Sequence, residues 1–130
     1  MAVTRYNSKD CVVMVDGTYI TGLAEDMVSG SKDEDLISPS VGGQGDVVKN
    51  VVNNPLGQVT ITIQATSPQR AFLMSLKNRT DEYPVTVNNA VLGESFGGQQ
   101  ASLLSMPEVS EGTEVGELEF VFQVFDYDVK

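Results

Sequence analysis

The stretch ELEFVFQVFD, residues 117–126, carries the strongest strand pattern in the chain. Large apolar residues occupy every second position, as Leu118, Phe120, Phe122 and Val124. A period of two is typical of a β-strand that buries one face. The opposite face is Glu119, Val121, Gln123 and Phe125, and it is not cleanly polar. This mixture indicates burial against a partner subunit, so Phe125 is an interface candidate.

A second alternation occurs in QVTITIQAT, residues 58–66. Its apolar set is Val59, Ile61, Ile63 and Ala65, and its polar, uncharged set is Thr60, Thr62, Gln64 and Thr66. The first set predicts a core face and the second a face toward water. Turn residues Pro55 and Gly57 separate this strand from the Val-rich run 47–53, which predicts a hairpin over Asp46–Thr66.

The remaining elements extend the same all-β pattern. Two β-rich runs in residues 10–22 flank Asp16-Gly17, a dipeptide that favours a type I′ hairpin turn. Residues 83–88 form a short strand that Pro84 confines to an edge or a strand start, and residues 100–107 form a weaker strand. The predicted fold is a single domain over residues 1–130, an all-β barrel or sandwich of antiparallel hairpins with six or seven strands.

One short α-helix is predicted around residues 68–79. Ser67 is suited to cap its N-terminus, and Pro68 fits the first helical position, where a missing N–H does no harm. Lys77 and Arg79 fall in its last turn, which favours cations.

Residues 25–46 show neither a helical nor a strand period. They combine four serines with glycines, Pro39 and the acidic run Asp33-Glu34-Asp35, so a long loop is predicted. The acidic run allows three interpretations: a solvated loop, an ion-pair surface between subunits, or a calcium site, which lacks the spacing of an EF-hand.

Composition excludes most catalytic chemistry. The 130 residues carry a net charge of −10, with no His and a single Cys. Histidine-dependent catalysis and the usual zinc sites are therefore absent, and a basic nucleic-acid footprint is lacking. Carboxylate pairs suit glycosidase chemistry by residue type, but aromatic platforms are missing. We expect no enzyme activity, no cofactor and no metal.

The order of these parts resembles the small tail tube proteins of contractile-tailed bacteriophages. The likeness rests on the Val15-Asp16-Gly17 hairpin, the Gly/Ser-rich loop, the turn at residues 53–57, Ser67-Pro68, and residues 111–126, EGTEVGELEF running into VFQVFD. The tube protein of type VI secretion shares the architecture. The resemblance implies homohexameric rings stacked into a hollow tube within a contractile sheath, whose lumen conducts DNA. It also implies that the loop over residues 25–46 is an inter-subunit loop that makes stacking contacts with the next ring.

The resemblance also implies partners and a location in the virion tail, after assembly in the host cytoplasm. The expected partners are further copies, the sheath, a baseplate or tube initiator, and a terminator, with tape measure protein and DNA passing without specific binding and no membrane anchor. Lumen-facing candidates are Thr60, Thr62, Gln64 and Lys49. Inter-ring or inter-subunit candidates are Asp33, Glu34, Asp35, Arg70, Lys77, Arg79 and Phe125.

Two alternatives to a tube subunit remain. One is a tube initiator, terminator or other baseplate component of the same fold. The other is a monomeric β-barrel that binds a small apolar ligand.

Overall fold

The computed structural model describes residues 2–130 and contains ten strands and one short α-helix. The strands are β1 Cys11–Val15, β2 Thr18–Tyr19, β3 Leu23–Lys32, β4 Ile37–Val41, β5 Val47–Val51, β6 Gly57–Gln64, β7 Tyr83–Asn89, β8 Glu94–Ser105, β9 Glu117–Val124 and β10 Asp128–Val129. The helix, α1, is Arg70–Ser75, and 3₁₀ turns cover Ser8–Asp10 and Leu76–Asn78. The prediction of a mostly antiparallel β fold with one helix is confirmed.

Eight strands form one antiparallel sheet in the order β2-β1-β7-β8-β9-β6-β3, with β10 paired to β8. The edge strands β2 and β3 are joined by only three residues, Ile20–Gly22. Such a link spans at most about 14 Å between Tyr19 and Leu23. The two edges therefore approach each other at that end, and the sheet curls into a partly closed barrel.

A single hydrophobic core fills the inside of the curled sheet. Every second residue of β9 and β6 points into it, and the fully buried members from these two strands are Val59, Ile61, Ile63, Phe120, Phe122 and Val124. Leu73 and Leu76, from α1 and the 3₁₀ turn after it, are buried in the same core. The two alternating stretches are thus confirmed as half-buried strands.

The first hairpin is also confirmed. Strands β1 and β2 pair through Met14 with Tyr19 and Val15 with Thr18. The two turn residues have positive φ, 51° at Asp16 and 77° at Gly17, as a type I′ turn requires.

The helix begins two residues later than expected. Gln69 is the N-cap position, and Pro68 lies in the turn before it. The Ser67 hydroxyl donates a hydrogen bond to the Thr21 carbonyl at 2.6 Å and accepts one from the Gln69 N–H at 3.3 Å. Because this tertiary hydrogen bond holds Ser67 against the β2–β3 link, the chain makes a turn there before the helix starts.

The predicted hairpin over Asp46–Thr66 is wrong. Strand β5 pairs with β4 in a separate two-stranded sheet, from Ile37 opposite Val51 to Val41 opposite Val47. Strand β6 lies between β3 and β9. The predicted loop over 25–46 is likewise wrong as secondary structure, since β3 and β4 occupy most of it.

Strand β7 is central and Pro84 is its second residue, so of the two positions that Pro84 allowed, an edge or a strand start, the structure shows the strand start. Strand β7 lies between β1 and β8. The β7–β8 register shifts between Tyr83 and Val85, so Pro84 sits at an irregularity where no ladder N–H is needed.

Candidate functional site

The outer face of β3, β6 and β9 forms a mainly polar surface, interrupted by Val121 beside Thr60, which we call the polar sheet face. It contains three of the predicted lumen residues, because Thr60, Thr62 and Gln64 point away from the buried Ile61 and Ile63. Register places Glu119 beside Thr62 and Glu117 beside Gln64. Glu117 and Glu119 therefore add two carboxylates to this face. The alternation in β9 already placed them opposite its apolar residues, but our lumen candidates did not include them.

Lys49, the fourth lumen candidate, lies elsewhere. It belongs to β5, opposite Pro39 of β4. Strands β4 and β5 pair only with each other, so the structure does not bring Lys49 together with Thr60, Thr62 and Gln64.

Strands β4 and β5 form a projecting β-hairpin, residues 37–51, which we call the arm. All ten of its strand residues are exposed. The pairing register gives the arm two different faces. One face is apolar apart from the Lys49 ammonium and comprises Ile37, Pro39, Val41, Val47, Lys49 and Val51. The other carries Ser38, Ser40 and Asn50 with Val48.

Three valines of the apolar face are largely open to solvent: Val41 is 69% exposed, Val47 67% and Val51 66%. The sequence signal for this element is the alternation of Ile37, Pro39 and Val41 with two serines, followed after Gly42, Gly43 and Gly45 by the Val-rich run 47–51. The serines and the acidic run are typical of a loop, so we did not predict strands there.

A groove of about 750 Å³ lies between the two edges of the curled sheet, and we call it the edge groove. Its apolar lining consists of Cys11, Tyr19, Ile20, Leu23, Ala24 and Met27. Lys9 and Glu25 are its charged lining residues. Burial, and secondarily the charge of Glu94, raise the pKa of the Cys11 thiol above its usual value.

The acidic run Asp33-Glu34-Asp35 is an exposed turn between β3 and the arm. Asp33 contacts the main sheet: its carboxylate accepts a hydrogen bond from Gln123 Nε2 at 3.1 Å, and its N–H donates to the Leu56 carbonyl at 3.1 Å. The run therefore sits at the base of the arm and anchors it to the sheet.

Of the three predicted basic contact residues, Arg79 is engaged within the chain. Its guanidinium binds both carboxylate oxygens of Asp81 at 2.8 Å and the Asp16 carboxylate at 2.6 Å. It also lies 5.1 Å from the ring centroid of Tyr83. The hydrogen bonds from Arg79 lower the pKa of Asp81 to about 2. The bonds to Asp81 and Asp16 in turn raise the pKa of Arg79 above its usual value.

The other predicted contact residues are separated from one another. Lys77 is exposed in the 3₁₀ turn after α1, and Arg70 lies against the connector 109–116. Phe125 is 37% exposed just beyond β9, and its N–H donates to the Gln100 carbonyl.

Within residues 2–130, no group of three or more His, Cys, Asp or Glu side chains is arranged to hold a metal ion. No helix in the same range is long and apolar enough to cross a membrane.

Solved structures of similar fold come from contractile injection systems. A chain of the anti-feeding prophage tube-terminating cap matches with a TM-score of 0.66 and 13% identity, over 100% of this chain and 94% of that one. A chain of the PVC sheath–tube complex in the extended state matches with a TM-score of 0.67 and 15% identity, over 97% and 91%. A chain of the PVC sheath/tube terminator gives 0.65 and 13%, over 100% and 99%.

At these identities the solved structures establish the fold alone, and no curated protein sequence matches the chain. A protein-family model does match: it describes the bacteriophage PhiTE tail tube protein and covers residues 12–130. This match confirms the resemblance found in the sequence. Because it covers nearly the whole chain, the protein belongs to the family of the bacteriophage PhiTE tail tube protein.

Proposed function

We propose that the chain is the subunit of the inner tube of a contractile phage tail, stacked as homohexameric rings around a lumen that conducts DNA. The observation that carries this proposal is the polar sheet face, which combines Thr60, Thr62 and Gln64 with the carboxylates of Glu117 and Glu119. A wall of this kind lets DNA slide, because it repels phosphate and offers no cation to hold it.

The open edges of the sheet support ring formation. Strand β3 is ten residues long, and within residues 2–130 it pairs with β6 on one side only. An unpaired edge of this length is a template for a strand from another chain. Six copies joined through such edges would form one closed barrel, with the polar sheet face on its inner surface.

The proposed partners follow from the family and from the similar structures. These structures include a sheath–tube complex and two tube-terminating assemblies. We therefore assign the sheath, an initiator and a terminator as partners, with tape measure protein and DNA as passengers in the lumen. The role is mechanical and needs no catalytic group or cofactor. Its setting is the virion tail, with assembly in the host cytoplasm.

Electron microscopy of the purified chain tests the proposal. At high concentration and raised salt we expect rings of sixfold symmetry and hollow tubes of uniform width. A helical reconstruction would then show β6 facing the lumen. Rings of another symmetry would contradict the homohexamer. A polar sheet face on the outer wall would contradict its role as the lining of the lumen.

A tube terminator is the second candidate, since two of the similar structures are terminating assemblies. A terminator has one ring face that accepts no further copy. Single rings that never stack, and that bind only to the end of preformed tubes, would favour this candidate over a tube subunit.

A further inference from the structure

We propose that the turn between β1 and β2 is a modification site, where Asp16-Gly17 rearranges spontaneously to isoaspartate, and that the Arg79 guanidinium slows this reaction in the folded chain. In isoaspartate the main chain runs through the side-chain carbon Cγ of the residue. The inference concerns the single subunit and does not depend on the proposed tube function.

The sequence confines this chemistry to one place. Asp16 is the only Asp or Asn residue in the chain that is followed by glycine. The rearrangement begins when the nitrogen of the following residue attacks the side-chain carbonyl carbon. Glycine has no Cβ to obstruct that approach, whereas every other Asp or Asn is followed by a residue that is bulkier at its Cα or is proline.

The turn is open to water, which the reaction needs. Asp16 and Gly17 are both exposed, and a Cβ atom added to Gly17 would meet no atom within 4 Å. Within residues 2–130, the Gly17 N–H donates to no main-chain carbonyl outside the strand ladders. The attacking nitrogen is therefore not engaged in the fold, and a five-membered ring has room to form.

The reaction is balanced by water alone. The Gly17 nitrogen bonds to Cγ of Asp16 and gives its proton to solvent, while one carboxyl oxygen takes up protons and leaves as water. The product of this step is an uncharged succinimide ring. Water then adds to the main-chain carbonyl carbon of Asp16 and breaks its bond to the Gly17 nitrogen. The chain now runs through Cγ, and the mass of the protein is unchanged.

Arg79 opposes the first step because it binds the carboxylate that the ring consumes. Its Nη1 lies 2.6 Å from Oδ2 of Asp16. Two hydrogen bonds of 2.8 Å to Asp81 hold the same guanidinium, and its carbon lies 5.1 Å from the ring centroid of Tyr83. A cation fixed in this way stabilises the ionised side chain but not the uncharged ring. The contact therefore raises the barrier to ring closure.

Rearrangement would damage the hairpin, because isoaspartate adds one CH₂ group to the main chain at the turn. A type I′ turn has two residues with positive φ, and its length fixes the register of the strands that it joins. The Asp16 N–H also donates to the Pro84 carbonyl at 2.8 Å, which ties the turn to β7. The modified chain should therefore hold β2 less firmly at the edge of the sheet.

Ageing of the free subunit in water enriched in heavy oxygen tests the proposal, because hydrolysis of the ring leaves one heavy oxygen at residue 16. Peptide mapping with electron-transfer fragmentation then locates the label and distinguishes isoaspartate from aspartate. The samples are folded wild type, wild type unfolded in guanidinium chloride, Arg79→Gln and Arg79→Lys. Asp81→Asn is the matched control, since it weakens the anchoring of Arg79 but leaves the contact with Asp16 possible. Circular dichroism checks that each variant is folded.

We expect labelling at residue 16 to be at least about tenfold slower in folded than in unfolded wild type. Arg79→Gln should accelerate it in the folded chain about threefold, the effect of one exposed ion pair. Arg79→Lys retains the charge and should fall between the two, and it carries the comparison if Arg79→Gln does not fold. Asp81→Asn should accelerate labelling less than Arg79→Gln.

Three results would overturn the proposal. Absence of label at residue 16 in the unfolded chain would show that this site does not rearrange. Equal rates in folded wild type and in the Arg79 variants would remove the protective role of the guanidinium. An acceleration in Asp81→Asn as large as that in Arg79→Gln would assign the effect to general loosening of the turn rather than to the contact with Asp16.

Discussion

Gly97 shows how closely the backbone packs at a single residue of this sheet. It has a φ of 117° and pairs with Thr86 on one side and Asp128 on the other. A Cβ atom added there would overlap the carbonyl oxygen of Val85 and lie 3.1 Å from the Cα of Thr86. Backbone atoms held in a ladder cannot move aside as a flexible side chain can.

We therefore predict that Gly97→Ala destabilises the fold by about 3 kcal/mol or more, as the sum of overpacking and backbone strain. Gly93→Ala is the matched control, because Gly93 also has a positive φ, 65°, but no atom lies within 4 Å of the added Cβ. It should cost only about 1 kcal/mol. Urea unfolding of both variants measures the difference, and equal losses would show that φ alone determines the cost.

The ion pairs of Arg79 give a prediction of pH dependence. Hydrogen bonds from Arg79 lower the pKa of Asp81 from 3.8 to about 2. A carboxylate with a lowered pKa in the folded state adds stability above its unfolded pKa, and this contribution disappears as the pH falls through the folded value. The difference in Tm between wild type and Asp81→Asn should therefore be constant above about pH 5 and shrink between about pH 4 and 2.

Thermal unfolding followed by circular dichroism over this range measures that difference. Glu82→Gln is the control, since it removes the same charge from the adjacent residue, which forms no ion pair within residues 2–130. A Tm difference for Asp81→Asn that persists unchanged to pH 2 would contradict a role for the ionised carboxylate.

Elements whose pairing is local were predictable from the sequence. The β1–β2 hairpin follows from Asp16-Gly17, and β9 and β6 follow from strict alternation of apolar residues. The arm was not predicted, because the run 47–53 of β-branched residues fits either neighbour, and nothing local decides between β4 and β6. In the folded chain, β9 pairs with one side of β6 and β3 with the other, so β6 has no free side for β5. Because β9 is more than 50 residues away in sequence, this pairing could not be predicted locally.

The candidate site was likewise predictable only where it depends on local sequence. The polar face of β6 could be read from its alternation, whereas the neighbours Glu117 and Glu119 depend on the strand register of β9. The edge groove could not be predicted, because it is formed by β2 and β3 at opposite ends of the sheet order.

At the level of the element, we predict that the arm is required for assembly and dispensable for folding. Its strand side chains are exposed and contribute nothing to the core. The Val52 N–H donates to the Leu36 carbonyl at 2.9 Å, so Asn-Gly inserted between these residues in place of 37–51 should close a tight two-residue turn. The shortened chain should keep its Tm within about 4 °C of wild type and form no tubes.

Circular dichroism and electron microscopy of the shortened chain test both halves of this prediction. Ser38→Ala, on the polar face of the arm, is the control that should assemble normally. A large fall in Tm would show that the arm supports the fold, and tubes formed without the arm would show that other surfaces suffice for assembly.

For the whole molecule, net charge opposes association between copies. Each copy carries −10, so the proposed ring of six would gather a large like charge before any contact area is gained. The apolar face of the arm carries a single cation, Lys49. Attraction from one exposed ion pair per copy is weak, so repulsion between copies should outweigh it.

We accordingly predict that salt promotes assembly. Between about 0.01 M and 1 M the Debye length falls from about 30 Å to about 3 Å, which screens repulsion between whole subunits. The minimum concentration for tube formation, measured by light scattering, should fall several-fold over this range. A variant with Glu111 and Glu114 changed to Gln has a net charge of −10 + 2 = −8 and alters only exposed connector residues. Its assembly should begin at a lower concentration in low salt and depend less on salt than that of the wild type. If salt instead raises the minimum concentration for both proteins, ion pairs between subunits dominate the association.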